Sequence, residues 1–190
     1  MGAICNGMAS YRLRPYAATF LVFMDYMKTP IRLAAMMGLP VIYILTHDSI
    51  GMGEDGPTHQ PVEHLLQLRG IPNLLTIRPA DANEVAVAWQ VAMESSTRPV
   101  AFALSRQALP TIDRSRYGAA DGLRRGGYVV ADMPDPQLIL IATGVNCTLP
   151  SMPMKSSGPK AWPRVSSHCH AGNCLKNSPN PTGSPSCHRK

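Results

Sequence analysis

The sequence lacks a long hydrophobic run, and its last quarter lacks acidic residues. No uninterrupted apolar stretch reaches the roughly 18 residues that cross a bilayer, and no basic and apolar leader opens the chain. These absences predict a protein with no membrane segment, and we expect a cytoplasmic location. The 190 residues are enough for one domain with a hydrophobic core.

The net charge of +6 comes from one end of the chain. Residues 1–144 hold twelve basic and twelve acidic residues, whereas residues 145–190 hold six basic residues and no acidic one. A nucleic-acid-binding face usually interleaves basic and aromatic residues, but this basic segment has a single aromatic residue, Trp162. The charge therefore does not indicate a nucleic-acid partner.

Apolar runs alternate with helix-like segments from residue 1 to about residue 110. Runs such as "PVIYIL" and "RPVAFAL" are separated by segments such as "NEVAVAWQVAMES". This alternation is typical of an α/β fold, a parallel sheet with helices on both faces. Gly38 and Pro40 predict the end of a helix and the start of a strand, and Asp81 with Glu84 predicts a capping box.

The rest of the chain divides into three parts. We predict a connecting segment over 111–136 and the first strand of a further α/β unit at 137–144, "QLILIATG". Residues 145–190 hold seven prolines, eight serines and four of the five cysteines, without helical or strand alternation, which predicts a disordered tail. Its Cys and His residues do not have the spacing of a standard zinc site. We prefer chance accumulation to a zinc site there, and we predict no metal ligand in the chain.

The motif "THDSIGMGEDGPTHQP", Thr46 to Pro61, follows the predicted strand "PVIYIL". Ligands of open α/β sheets bind beyond the carboxyl ends of the strands, so the motif lies where a site is expected. Taken alone, such a loop is more often a surface turn. The three aromatic residues Phe20, Phe23 and Tyr26, taken alone, are more often ordinary core.

Four segments occur in an order and at separations that match a known family: "ATFLVFMDY", "THDSIGMGEDGPTHQPVEHL", "PNLLTIRPADANE" and "ALSRQALP". Together they resemble the pyrimidine-binding domain of transketolases, over residues 1 to about 144. Transketolases are homodimeric enzymes that use thiamine diphosphate and magnesium to move a two-carbon ketol unit between sugar phosphates. The resemblance therefore implies sugar phosphates as substrates, and a homodimer or pairing with another transketolase chain.

The resemblance implies that this chain holds only the pyrimidine end of the cofactor. Phe20, Phe23 and Tyr26 would form the pocket for the aminopyrimidine ring. In the family a catalytic glutamate lies a few residues before "MGAICNGMA", and the magnesium and diphosphate ligands lie in a preceding domain. We expect none of these groups in the chain, and we therefore expect the chain alone to be inactive. The segment "MASYRLRPY" also departs from the family's glycine-containing turn.

The resemblance assigns substrate roles to four residues. His59 would assist proton transfer on the substrate hydroxyls, a task suited to a group that titrates near neutrality. Asp55 would accept a hydrogen bond from a hydroxyl of the donor substrate. His47 and Arg106 would bind the substrate phosphate. Three further residues are expected to organise the loop: Asp48, Ser49 and Glu54.

We hypothesise that residues 145–190 are a frameshifted translation. When the possible codons are shifted by one nucleotide, residues 145–156 permit an amphipathic helix of the kind that follows "IATG" in the family. A second window, 168–180, permits another transketolase-like segment in the same frame. Two other functional readings stay open: a non-catalytic fragment that pairs with an intact transketolase subunit or amino-terminal half, and a chain that does not accumulate as a functional product.

Overall fold

The computed structural model describes residues 1–132 and 139–147, together with the backbone of 164–168. The α-helices are α1 (Gly2–Ser10), α2 (Met24–Met37), α3 (His64–Arg69) and α4 (Ala82–Glu94). The strands are β1 (Tyr16–Phe20), β2 (Ile42–Thr46), β3 (Leu75–Ile77), β4 (Val100–Leu104), β5 (Gly127–Ala131), β6 (Ile139–Ala142) and β7 (Arg164–His168). Short 3-10 helices cover Leu21–Phe23, Pro57–His59, Ala120–Arg125 and Gly144–Cys147. Across the described residues, every helix is too short or too polar to cross a membrane.

Strands β1 to β4 form one parallel sheet in the order β1-β2-β4-β3. The register pairs Phe20 with Thr46 and Thr46 with Leu104. The carboxyl ends of β1, β2 and β4 therefore lie side by side at one edge of the sheet. This arrangement confirms the predicted α/β fold, and it places three loops at that edge.

The two faces of this sheet are covered by different helices. On one face, Tyr43 and Leu45 pack with buried residues of α1, α2 and α3, among them Ile31. On the other face, Ile42 and Phe102 pack against α4 and the 3-10 helix after it. Because neighbouring residues of a strand point to opposite faces, the continuous apolar run of β2 fills both layers.

The helix boundaries follow the local signals that the sequence carries. Helix α2 ends at Gly38, whose φ of 67° lies in the left-handed region that favours glycine. Asp81 caps α4 by accepting a hydrogen bond from the Glu84 amide at 2.9 Å. The reciprocal contact of a capping box is displaced by one residue, since the Glu84 carboxylate accepts from the Ala80 amide.

The turn after α1 has no glycine, and Arg12 takes its place. Its φ of 63° lies in the left-handed region. The Arg12 and Leu13 amides donate to the carbonyls of Ala9 and Met8, which closes the end of α1. A non-glycine residue in a left-handed conformation therefore forms the turn just before β1.

The predicted connecting segment packs against the start of α4. Asp81 also accepts hydrogen bonds from the Ile112 amide at 3.0 Å and from Arg114 at 2.8 Å. Within the same segment, Tyr128 on β5 donates to the Glu84 carboxylate at 2.6 Å. Burial, followed by this hydrogen bond, raises the pKa of Tyr128. The segment therefore contains an ordered strand that is tied to the main sheet's outer helix.

A strand lies within the predicted tail, where the sequence analysis expected no regular structure. Strand β7 lies between β5 and β6, antiparallel to the first and parallel to the second. The expectation of disorder is corrected for residues 164–168, because sheet pairing uses backbone groups and needs no side-chain alternation. Strand β6 lies in the segment predicted to be a strand, 137–144. The rest of the tail beyond Cys147 lies outside the described residues.

Candidate active site

The predicted site residues gather at the carboxyl edge of the main sheet. Phe20 is the last residue of β1, His47 directly follows β2, and Arg106 lies two residues after β4. Since these three strand ends are adjacent, residues far apart in the sequence are brought to one edge. This is the position at which open parallel sheets bind their ligands.

Aromatic rings form the centre of this edge. The Phe20 ring stacks on His47 with 3.8 Å between the centroids, and it lies nearly parallel to Phe23 at 6.1 Å. Tyr26 lies 6.2 Å from Phe23 and is 84% exposed. Phe20 and Phe23 are half-buried. The three aromatic residues are therefore not ordinary core, because they present ring surface to solvent at the edge of the sheet.

His59 joins this group from the long loop. It is the last residue of the 3-10 helix Pro57–His59, and its ring lies edge-on to Phe23 at 5.2 Å and to Phe20 at 6.2 Å. Its Nδ1 lies 2.9 Å from the Thr58 hydroxyl oxygen, within hydrogen-bonding distance. Two imidazoles and two phenyl rings thus form one cluster, which combines proton-transfer groups with flat apolar surface.

The loop between β2 and α3 is anchored by polar contacts, of which the Arg78–Asp48 and Gln60–Met52 contacts are partly buried. Arg78 donates to the buried Asp48 carboxylate at 2.6 Å, and Gln107 donates to the Gly51 carbonyl at 2.7 Å. Gln60 donates to the Met52 carbonyl at 2.7 Å. His47 itself has a φ of 60°, so the backbone turns sharply where the loop leaves β2. These contacts give the loop a defined path past the aromatic rings.

The residues expected to organise the loop make contacts of that kind. Asp48 pairs with Arg78, the Ser49 hydroxyl accepts from the Gly51 amide, and Glu54 lies 3.5 Å from Arg106. The Glu54 and Arg106 side chains are both exposed, so this ion pair contributes little to stability.

Two predicted substrate residues are exposed at this edge of the sheet. In the described part of the chain, ring contacts join Phe20, Phe23, His47 and His59, whereas Asp55 and Arg106 are exposed to solvent. Asp55 and Arg106 lie in the segments that follow β2 and β4, and both segments start at the same edge of the sheet.

Three residues that hold the loop were not predicted from the sequence: Gln60, Arg78 and Gln107. Each occurs in a segment that carried the family resemblance, within "THQP", "IRPAD" and "SRQALP". Arg78 donates to a buried carboxylate of another loop, and Gln107 donates to a backbone carbonyl of another loop. Gln60 donates to the carbonyl of Met52, eight residues earlier in its own loop. No local pattern marks such pairs, because they depend on which loops the sheet brings together.

The strands and helices form an α/β domain with an aromatic cluster at the carboxyl edge of its parallel sheet. The family model described as "Transketolase, pyrimidine binding domain" matches residues 1–111, and the chain belongs to this family. The transketolase of Aquifex aeolicus (strain VF5) is 54% identical over 146 residues, covering 76% of this chain and 21% of that protein. The transketolase of Geobacillus stearothermophilus is 54% identical over 147 residues, covering 76% and 22%.

Solved structures show the same likeness. Transketolase from Leishmania mexicana superposes with a TM-score of 0.81 at 41% identity, covering 92% of this chain and 25% of that one. A split-gene transketolase, described as an inactive β4 tetramer, shares the fold with a TM-score of 0.66 at 21% identity, covering 90% and 53%. The chain thus spans about a fifth of the length of the curated relatives that it matches.

Proposed function

We propose that this chain supplies the pyrimidine-binding wall of a transketolase active site. The intact enzyme would transfer a two-carbon ketol unit from a ketose phosphate to an aldose phosphate. The observation that carries this proposal is the cluster of Phe20, Phe23, His47 and His59 at the carboxyl edge of the sheet. The membership of the family supports the same reaction class.

The aromatic residues fit the flat ring of thiamine diphosphate. Phe20 and Phe23 lie nearly parallel, with an interplanar angle of 11°, and Tyr26 extends the surface into solvent. Such rings hold a heteroaromatic group by stacking and keep water away from it. When bound, the cofactor supplies the nucleophilic carbon of ketol transfer. We assign no magnesium ligand for the diphosphate to this chain.

The polar residues would bind and orient the sugar phosphate. His59 would move a proton to or from a substrate hydroxyl, and Asp55 would accept a hydrogen bond from another hydroxyl. His47 and Arg106 would bind the phosphate. Arg106 is available for this task because its present contact with Glu54 is long and exposed.

Calorimetry with thiamine diphosphate and magnesium tests the proposal, using the chain alone and mixed with an amino-terminal transketolase half. We expect binding in the mixture and no ketol transfer by the chain alone, because the matched segment holds one wall of the site. Binding in neither case would contradict the proposed function. Ketol transfer by the purified chain alone would overturn the expectation of inactivity.

Matched aromatic variants locate the binding surface in the same mixture. Phe20→Leu removes the flat ring but keeps apolar volume, and we expect cofactor affinity to fall about fivefold, since stacked aromatic contacts contribute about 1 kcal/mol. Tyr16→Leu is the control, because Tyr16 is an exposed aromatic residue at the opposite end of β1. Equal affinities for the two variants would argue against the aromatic pocket.

A second candidate function is that of a non-catalytic fragment that pairs with another transketolase chain. Exposed apolar side chains on α1 and α2 favour it: Met1, Ile4, Met8, Leu33, Met36 and Met37. Apolar surface of this kind often marks an interface. Light scattering of the chain alone and of the mixture tests it, and a monomer in both samples would contradict pairing.

A further inference from the structure

A cluster of three potential metal ligands lies beside the aromatic site. Asp25 belongs to the first turn of α2, Glu63 precedes α3, and His64 is the first residue of α3. One donor atom from each residue lies within 4.8 Å of the other two. Asp25 lies nearly forty residues before Glu63 and His64 in the sequence, so only the tertiary fold forms the cluster.

The His64 ring is buried without a hydrogen-bond partner. Its side chain is 5% exposed, and neither ring nitrogen has a hydrogen-bond partner among the described residues. Nε2 lies 3.3 Å from the Asp25 carboxylate, and Nδ1 lies 3.9 Å from the Glu63 carboxylate. One ion can bind only one nitrogen of an imidazole ring, so Nε2 beside Asp25 is the donor nitrogen of the site. A buried imidazole normally satisfies at least one nitrogen, so the site has an unmet need for a ligand.

The spacing of His64 and Asp25 suits a shared cation better than a hydrogen bond, and the exposed Glu63 carboxylate would turn to complete the donor set. Donor atoms that bind one ion at about 2.1 Å lie roughly 3 to 3.5 Å apart, with their lone pairs directed at the ion rather than at one another. The 3.3 Å separation of His64 Nε2 and Asp25 Oδ2 falls in that range although the two atoms do not form a hydrogen bond. The Asp25 and Glu63 side chains are about half exposed, which allows water to complete the coordination.

We propose that Asp25, Glu63 and His64 bind a divalent first-row transition-metal ion. One imidazole and two carboxylates form a mixed nitrogen and oxygen donor set that suits Mn²⁺ or Zn²⁺. The ion would tie the first turn of α2 to the start of α3. Asp25 lies between Phe23 and Tyr26 in the sequence. The ion would therefore also hold these two aromatic residues against the segment that follows His59.

Titration of the full chain with Mn²⁺, followed by the electron paramagnetic resonance signal of the free ion, tests the proposal. Mn²⁺ is a better probe than Zn²⁺, because the cysteines and the other histidines of the chain would also bind zinc. We expect one saturable site per chain. We expect Asp25→Asn and Glu63→Gln each to weaken its affinity about tenfold or more. Both side chains are half exposed, so these variants retain the packed core.

Asp121→Asn and Glu94→Gln are the matched controls, because they make the same charge changes at exposed carboxylates outside the cluster. These controls should retain the site. Added Mn²⁺ should also raise the thermal midpoint of the wild-type chain and the controls, but not that of the Asp25 and Glu63 variants. The absence of saturable binding, or unchanged binding in either ligand variant, would overturn the proposal and leave a buried histidine between two carboxylates.

Discussion

Arg12 performs a task that chains usually give to glycine. Its backbone has a φ of 63°, in a region where a Cβ atom crowds the backbone. The side chain is exposed, so no packing compensates for this conformation. The residue therefore carries local strain at the turn that leads into β1, the strand that ends at Phe20.

We predict that Arg12→Gly raises the free energy of unfolding by about 1 kcal/mol, since glycine adopts this conformation without the Cβ penalty. Urea denaturation of the full chain measures the change. Arg12→Ala is the matched control, because it removes the side chain but keeps the Cβ atom. If alanine stabilises the chain as much as glycine, the left-handed backbone is not the cause.

The loop between β2 and α3 depends on an ion pair with a neighbouring loop. The Arg78 guanidinium, after β3, donates to the buried Asp48 carboxylate and also to the Thr143 hydroxyl at 3.2 Å. The Arg78 carbonyl accepts from the Gly144 amide at 3.2 Å. One residue thus connects the candidate site loop with the end of β6, so a change at Arg78 reaches both elements.

We predict that Arg78→Ala lowers the free energy of unfolding by about 3–5 kcal/mol, because it leaves the Asp48 carboxylate buried without its cation. Arg106→Ala removes an arginine from an exposed pair and should cost about 1 kcal/mol or less. Urea denaturation of both variants makes the comparison. Similar losses of unfolding free energy in the two variants would show that burial does not strengthen the ion pair between Arg78 and Asp48.

At the scale of the whole molecule, the main sheet and the tail differ in composition and in likeness to relatives. The curated matches cover 76% of the chain, whereas the tail has many prolines and serines and no acidic residue. This difference supports the hypothesis of a frameshift after Gly144. Sequencing of the locus tests it, and a template without an open shifted frame across both windows would refute it.

We predict that limited proteolysis leaves a resistant fragment that retains residues 1–144, because the two buried core clusters lie on the sheet and helices of this part of the chain. Intact-mass measurement of the fragments identifies the cleavage sites. The same digestion in urea is the control, since loss of the core should abolish resistance. Rapid digestion of residues 1–144 without urea would instead support the reading in which no functional product accumulates.

Local sequence patterns were enough to predict two helix boundaries and the class of the fold. The left-handed turn at Gly38 and the cap at Asp81 follow from the preferences of single residues and from contacts within one turn. Strand β7 was not predictable in this way, because it pairs through its backbone with β5 and β6. Its own side chains carry no strand alternation.

The sequence by itself determined the alternation of strands and helices, the candidate loop and the family resemblance, because these depend on residue type and order along the chain. The tertiary structure alone decided which residues meet. It brought His47 and His59 onto the rings of Phe20 and Phe23 and placed Asp25 beside His64. Such meetings depend on strand order and register, which bring distant loops to one edge of the sheet.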